Sequence, residues 1–96
     1  MQSYYVYVIY SKTIDSFYIG QSVNLEVRVQ QHVVHEKLHA TTTKADDWVI
    51  FYYLECKSRQ QAIQIEHHIK RMKSRNYLEN LKKYPEIGLK LLAKYA

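Results

Sequence analysis

The sequence predicts an α+β fold in which a three-stranded antiparallel sheet is flanked by helices. Three observations predict it. Two aromatic and β-branched runs, at 4–10 and 17–20, are joined by the polar stretch "SKTIDS". A third run, "WVIFYYLEC" at 48–56, is apolar and too short for a typical helix. Most of the remaining chain carries apolar residues at helical spacing. With 96 residues, 47% of them apolar, the chain has enough material for one small core.

The elements follow in order. Residues 4–10 and 17–20 read as the strands of a hairpin. Alternation places Tyr5, Tyr7 and Ile9 on one face of the first strand and Tyr4, Val6 and Val8 on the other. Gly20 then permits either a sharp exit or a close backbone approach. "SVNLEVRVQQHVVHEKLH" reads as an amphipathic helix capped by Ser22 or Asn24, with Leu25, Val29 and Val33 on its apolar stripe. "ATTTKADD" is a polar loop, and "WVIFYYLEC" is expected to be a central strand buried on both faces.

Ser58 stands three residues before Gln61, a capping-box pattern that opens a helix with Ile63, Ile65, Ile69 and Met72 on its apolar side. Ser74 can cap a short further helix, "RNYLENLKK". Pro85 suits the first position of a last one. Residues 1–83 are expected to form the main domain, with 84–96 a helical extension packed on it.

Composition narrows the function. The net charge of +5 favours a polyanionic partner, nucleic acid being the commonest. Cys56 is the sole cysteine, which excludes a disulfide framework and points to a reducing cytoplasm. The start "MQSYYVYV" lacks signal-peptide character, and no run is long enough to span a bilayer. Oligomeric state leaves no trace in the sequence.

Candidate chemistry collects on this frame. Tyr7 and Tyr18 lie on the two hairpin strands. Arg28 and His32, four residues apart, share one helix face. Glu66 lies beside Ile63, Ile65 and Ile69, where a carboxylate is costly unless it is paired or binds a cation. Lys70, Arg71, Lys73 and Arg75, with Lys82 and Lys83 beyond, form a basic run suited to a nucleic-acid backbone. The bland alternative is a solvated basic helix face. His32, His35, His39, His67 and His68 raise the thought of zinc, but a closed structural site needs four ligands and Cys56 has no partner thiolate.

"YVY" at 5–7, "YIG" at 18–20, Arg28 eight residues after that glycine and the later helical Glu66 together resemble the GIY-YIG nuclease family, in particular its small stand-alone members. The likeness covers roughly the first four-fifths of the chain. Tyr5 and Val6 depart from the family's first motif. Gln21 stands where repair-type relatives often carry a lysine. The family's later asparagine could correspond to Asn76 or Asn80.

The resemblance implies a metal-dependent endonuclease that hydrolyses phosphodiester bonds of DNA. Tyr7 would be the general base or orient the attacking water, and Tyr18 would hydrogen-bond near the scissile phosphate. Arg28 would stabilise phosphoryl charge and His32 would assist Tyr7. Glu66 would hold one Mg²⁺ or Mn²⁺. Whether the target is single-stranded or duplex, and DNA rather than RNA, stays open at this level. The alternative is a catalytically inactive nucleic-acid-binding module of the same fold.

Overall fold

The computed structural model describes residues 3–23, 45–72 and 74–96. The helix expected after Ser22 or Asn24, with Arg28 and His32, and Lys73 lie outside the described residues, as does most of the polar loop. The elements are β1 (Tyr4–Ser11), β2 (Ser16–Ser22), β3 (Val49–Cys56), α1 (Arg59–Met72), α2 (Arg75–Lys83) and α3 (Pro85–Lys94). The strands form one antiparallel sheet in the order β2-β1-β3. None of the described helices is long and apolar enough to cross a membrane.

The order corrects one expectation. β1, not β3, is the central strand, and β3 is an edge with Val49, Ile50 and Tyr53 exposed. The hairpin delivers β2 to one side of β1, and β3 returns on the other. An apolar run shows that a strand is stable, but its rank in the sheet depends on which neighbour pairs with it.

Alternation along β1 holds, and it builds two cores. Val6 and Val8 face α1, where they meet Ala62, Ile65 and Ile69, with Leu78, Leu81 and Leu91 from the later helices. Burying each of the larger aliphatic side chains stabilises the fold by about 1.5–3 kcal/mol. Tyr7 and Ile9 face the other way and pack with Trp48 and Ala45.

The hairpin turn is gripped from two directions. Asp15, the last turn residue, has φ 48, a left-handed conformation that Asp tolerates better than most residues. Its carboxylate accepts from the Tyr10 hydroxyl at 2.5 Å and pairs with the Arg75 guanidinium at 3.1 Å. Those partners hold the Asp15 carboxyl below the usual carboxylate range. On the other side Asp47 accepts from Ser11 Oγ at 2.5 Å and from the Thr13 amide and hydroxyl at 3.1 and 3.0 Å. Its carboxyl is likewise held down, chiefly by the Ser11 hydroxyl.

The helix caps follow the sequence closely. Ser58 Oγ accepts from the Gln61 amide at 3.1 Å, and Ser74 Oγ accepts from the Tyr77 amide at 3.2 Å. Gln61 departs from the standard box by one residue. Its Oε1 accepts from the Lys57 amide at 2.7 Å, and its Nε2 donates to the Leu92 carbonyl at 3.0 Å. One buried side chain thus caps α1 and ties α3 to it. Tyr95 adds a second tie, its hydroxyl lying 3.0 Å from His68 Nδ1 and 3.5 Å from Arg71 Nη2. Burial, then the neighbouring Lys94 and Arg71 charges, lower the pKa of His68.

Candidate active site

The register of β1 on β2 sets Tyr7 opposite Gly20 and Ile9 opposite Tyr18. Residues directly opposite point to the same sheet face, so the two tyrosines and the glycine share one surface. Tyr7 is 2% exposed and belongs to the Trp48 cluster, against which Tyr18 packs. The phenol of Tyr7 lies across the backbone of Gly20. A Cβ at position 20 would meet Tyr7 Oη at 2.5 Å and Cζ at 2.6 Å. Gly20 has no positive φ, so close approach, not backbone conformation, is what demands glycine here.

This makes a test available. Gly20→Ala must displace a buried ring, an overpacking cost of about 1–3 kcal/mol. The expected result is a lower melting temperature together with loss of whatever activity depends on Tyr7. An alanine variant that keeps the parent melting temperature would show that the ring turns away cheaply.

The other tyrosines sort by face. Tyr10 belongs to the turn network, and its phenol pKa is raised, first by its hydrogen bond to Asp15. Tyr4, Tyr52 and Tyr77 pack on the helix-side core, as expected of aromatic strand and helix residues. Tyr53 is instead 54% exposed beside Tyr7 and meets the Tyr5 ring edge-on at 6.1 Å between centroids. Cys56 is buried, and that burial pushes its thiol up to about 11, which disfavours the thiolate.

Glu66 lies on α1, the helix that covers the Val6 and Val8 face. Its position falls within the stripe formed by Ala62, Ile65 and Ile69, and its side chain is 13% exposed. Oε2 pairs with Lys70 Nζ at 2.8 Å, and the Lys70 side chain is 47% exposed. The described residues therefore bring Tyr7 together with Tyr18, and Glu66 together with Lys70. α1 packs chiefly across β1 and β2, on the sheet face opposite the two tyrosines.

The basic run divides. Lys70 is held by Glu66, and Arg71 reaches the Tyr95 hydroxyl. Arg75 is committed to the turn, donating to the Asp15 carboxylate and carbonyl and lying 5.2 Å from the Phe17 ring centroid. Lys82 and Lys83 instead lie over aromatic rings, Phe51 at 4.7 Å and Tyr84 at 5.4 Å. Among the described residues these two lysines have no ion pair, so their charge is available to an anion.

Among the described residues no three His, Cys, Asp or Glu side chains gather as a metal cage. Within α1, Glu66 offers one carboxylate, a donor that suits a hard divalent cation keeping most of its water.

The family model of the GIY-YIG catalytic domain matches residues 3–81. Comparison with curated proteins returns no match, and neither does comparison with solved structures. The match spans the sheet, α1 and most of α2, including the tyrosine pair, Gly20 and Glu66. GIY-YIG proteins are nucleases that generally use divalent metal ions. Because the family model spans most of the chain, the chain belongs to the GIY-YIG family.

Proposed function

We propose that this chain is a metal-dependent endonuclease that hydrolyses phosphodiester bonds of DNA. The observation that carries the reading is the packing of Tyr7 over Gly20, with Tyr18 on the same face, inside a matched catalytic domain. The buried ring leaves the Tyr7 hydroxyl few orientations, which suits a group that must aim a water molecule. Tyr18 would hydrogen-bond near the scissile phosphate. Arg28 would meet the charge that develops on the phosphoryl group, and His32 would assist the proton on Tyr7. Free tyrosine has a pKa of about 10, so a basic Tyr7 requires positive charge close by.

Glu66 is the residue we assign to hold Mg²⁺ or Mn²⁺. A divalent ion held by Glu66 would supply Lewis acidity for the leaving oxygen. Because Tyr7 and Tyr18 face away from α1, the substrate would have to pass round the β2 edge to meet both the phenols and the carboxylate. Lys70, Arg71, Lys73 and the ring-backed Lys82 would follow the backbone without reading sequence. Arg75, held by Asp15, would contribute through the turn it anchors.

One observation favours the runner-up, a binding module without catalysis: Glu66 already has a cation, the Lys70 ammonium. Product formation separates the two. Purified protein is incubated with labelled single-stranded, duplex and branched DNA in Mg²⁺, Mn²⁺ or EDTA. The nuclease reading expects fragments in either metal and none in EDTA. Tight binding with no product in any metal would establish the module instead.

A further inference from the structure

Lys70 is four residues beyond Glu66, the spacing that brings two side chains together on a helix. An exposed pair of this kind contributes little, since water solvates both ends well when they part. This pair is different because its ends are unequally buried, 13% exposed for Glu66 and 47% for Lys70. The carboxylate is set beside Ala62, Ile65 and Ile69, which are essentially inaccessible to solvent. A bare charge there costs free energy that a nearby cation offsets. The lysine, by contrast, has a half-exposed stem and can leave at little cost.

We propose that Lys70 is a positioning residue, the resident counter-ion of Glu66, which holds the carboxylate in place and yields it to a divalent cation. This rests on the assignment of Glu66 as the metal-holding residue. The ammonium and a divalent ion compete for one carboxylate, and like charges at contact distance exclude each other. Lys70 therefore lowers the affinity of the empty site for metal while protecting the fold when metal is absent. Once displaced, the ammonium is adjacent to Arg71 and free to meet a phosphate of the substrate, so filling the site and gripping the backbone become linked.

Titration calorimetry with Mn²⁺, without nucleic acid, tests this on the wild type, Lys70→Gln, Lys70→Arg and Glu66→Gln. Lys70→Gln is expected to bind Mn²⁺ roughly threefold to tenfold more tightly than wild type, as removal of a competing ion pair implies. Lys70→Arg, which keeps the competing charge, should stay near wild type. Melting curves supply a second readout. Without metal Lys70→Gln should melt below wild type, and saturating Mn²⁺ should raise its melting temperature by more than it raises wild type's. Unchanged or weaker Mn²⁺ binding by Lys70→Gln, with binding lost in Glu66→Gln, would overturn the role of Lys70 and leave Glu66 as the metal residue. Full Mn²⁺ affinity in Glu66→Gln would remove the metal assignment itself, and this inference with it.

Discussion

Tyr7→Phe is expected to slow single-turnover cleavage by roughly 10²–10⁴-fold, the usual loss when a general acid–base group is removed. The substitution deletes one hydroxyl and keeps the ring that fills the space over Gly20. Packing, register and strand propensity are therefore preserved, and the melting temperature should move by no more than a few degrees. Tyr10→Phe is the matched control on the opposite face. It breaks the hydrogen bond to Asp15, so it should cost stability and leave the rate nearly intact. Saturating enzyme isolates the chemical step from binding. Cleavage by Tyr7→Phe at the unmutated rate would reduce the tyrosine pair to architecture.

Glu66→Ala should abolish metal-dependent cleavage while leaving DNA binding largely in place. Alanine is the best helix former, which offsets part of the lost ion pair with Lys70. Its small side chain removes the carboxylate without adding bulk beside Ile65 and Ile69. The variant should melt close to the parent and bind duplex DNA in Ca²⁺ with similar affinity. Its product yield in Mg²⁺ should match that of wild type in EDTA. A folded Glu66→Ala protein that cuts at the parent rate would disprove the metal assignment.

Local features of this chain are legible in its amino-acid sequence. The hairpin, the Ser58 and Ser74 caps and Pro85 at the start of α3 each rest on chemistry spanning a few residues. The alternation that puts Tyr7 and Val8 on opposite faces is equally local. Where expectation and structure part, distant pairing is the reason. The apolar run of β3 suggests a central strand, yet sheet order depends on how β3 pairs with a strand near the N-terminus. Arg75 belongs by sequence to a basic track, but its partner Asp15 is 60 residues away. The Glu66–Lys70 pair is within reach of sequence reasoning, since its spacing alone predicts contact. The basic run masks it, because charge considered without burial makes that run one surface.

The central place of β1 also shapes how the chain must assemble. "YYVYVIY", residues 4–10, is an uncharged aromatic and β-branched window without proline or glycine, the composition of a segment prone to cross-β stacking. Its hairpin with β2 covers one edge early, but a lone two-stranded hairpin is at best marginally stable in water. The other edge waits for β3, and the turn waits for Asp47 and Arg75, 34 and 60 residues further on. A nascent or partly unfolded chain therefore exposes its most adhesive strand until its C-terminal half arrives. Burial of that strand between two neighbours is the protein's protection against self-association. Conditions that loosen β3 should seed aggregation before they complete unfolding.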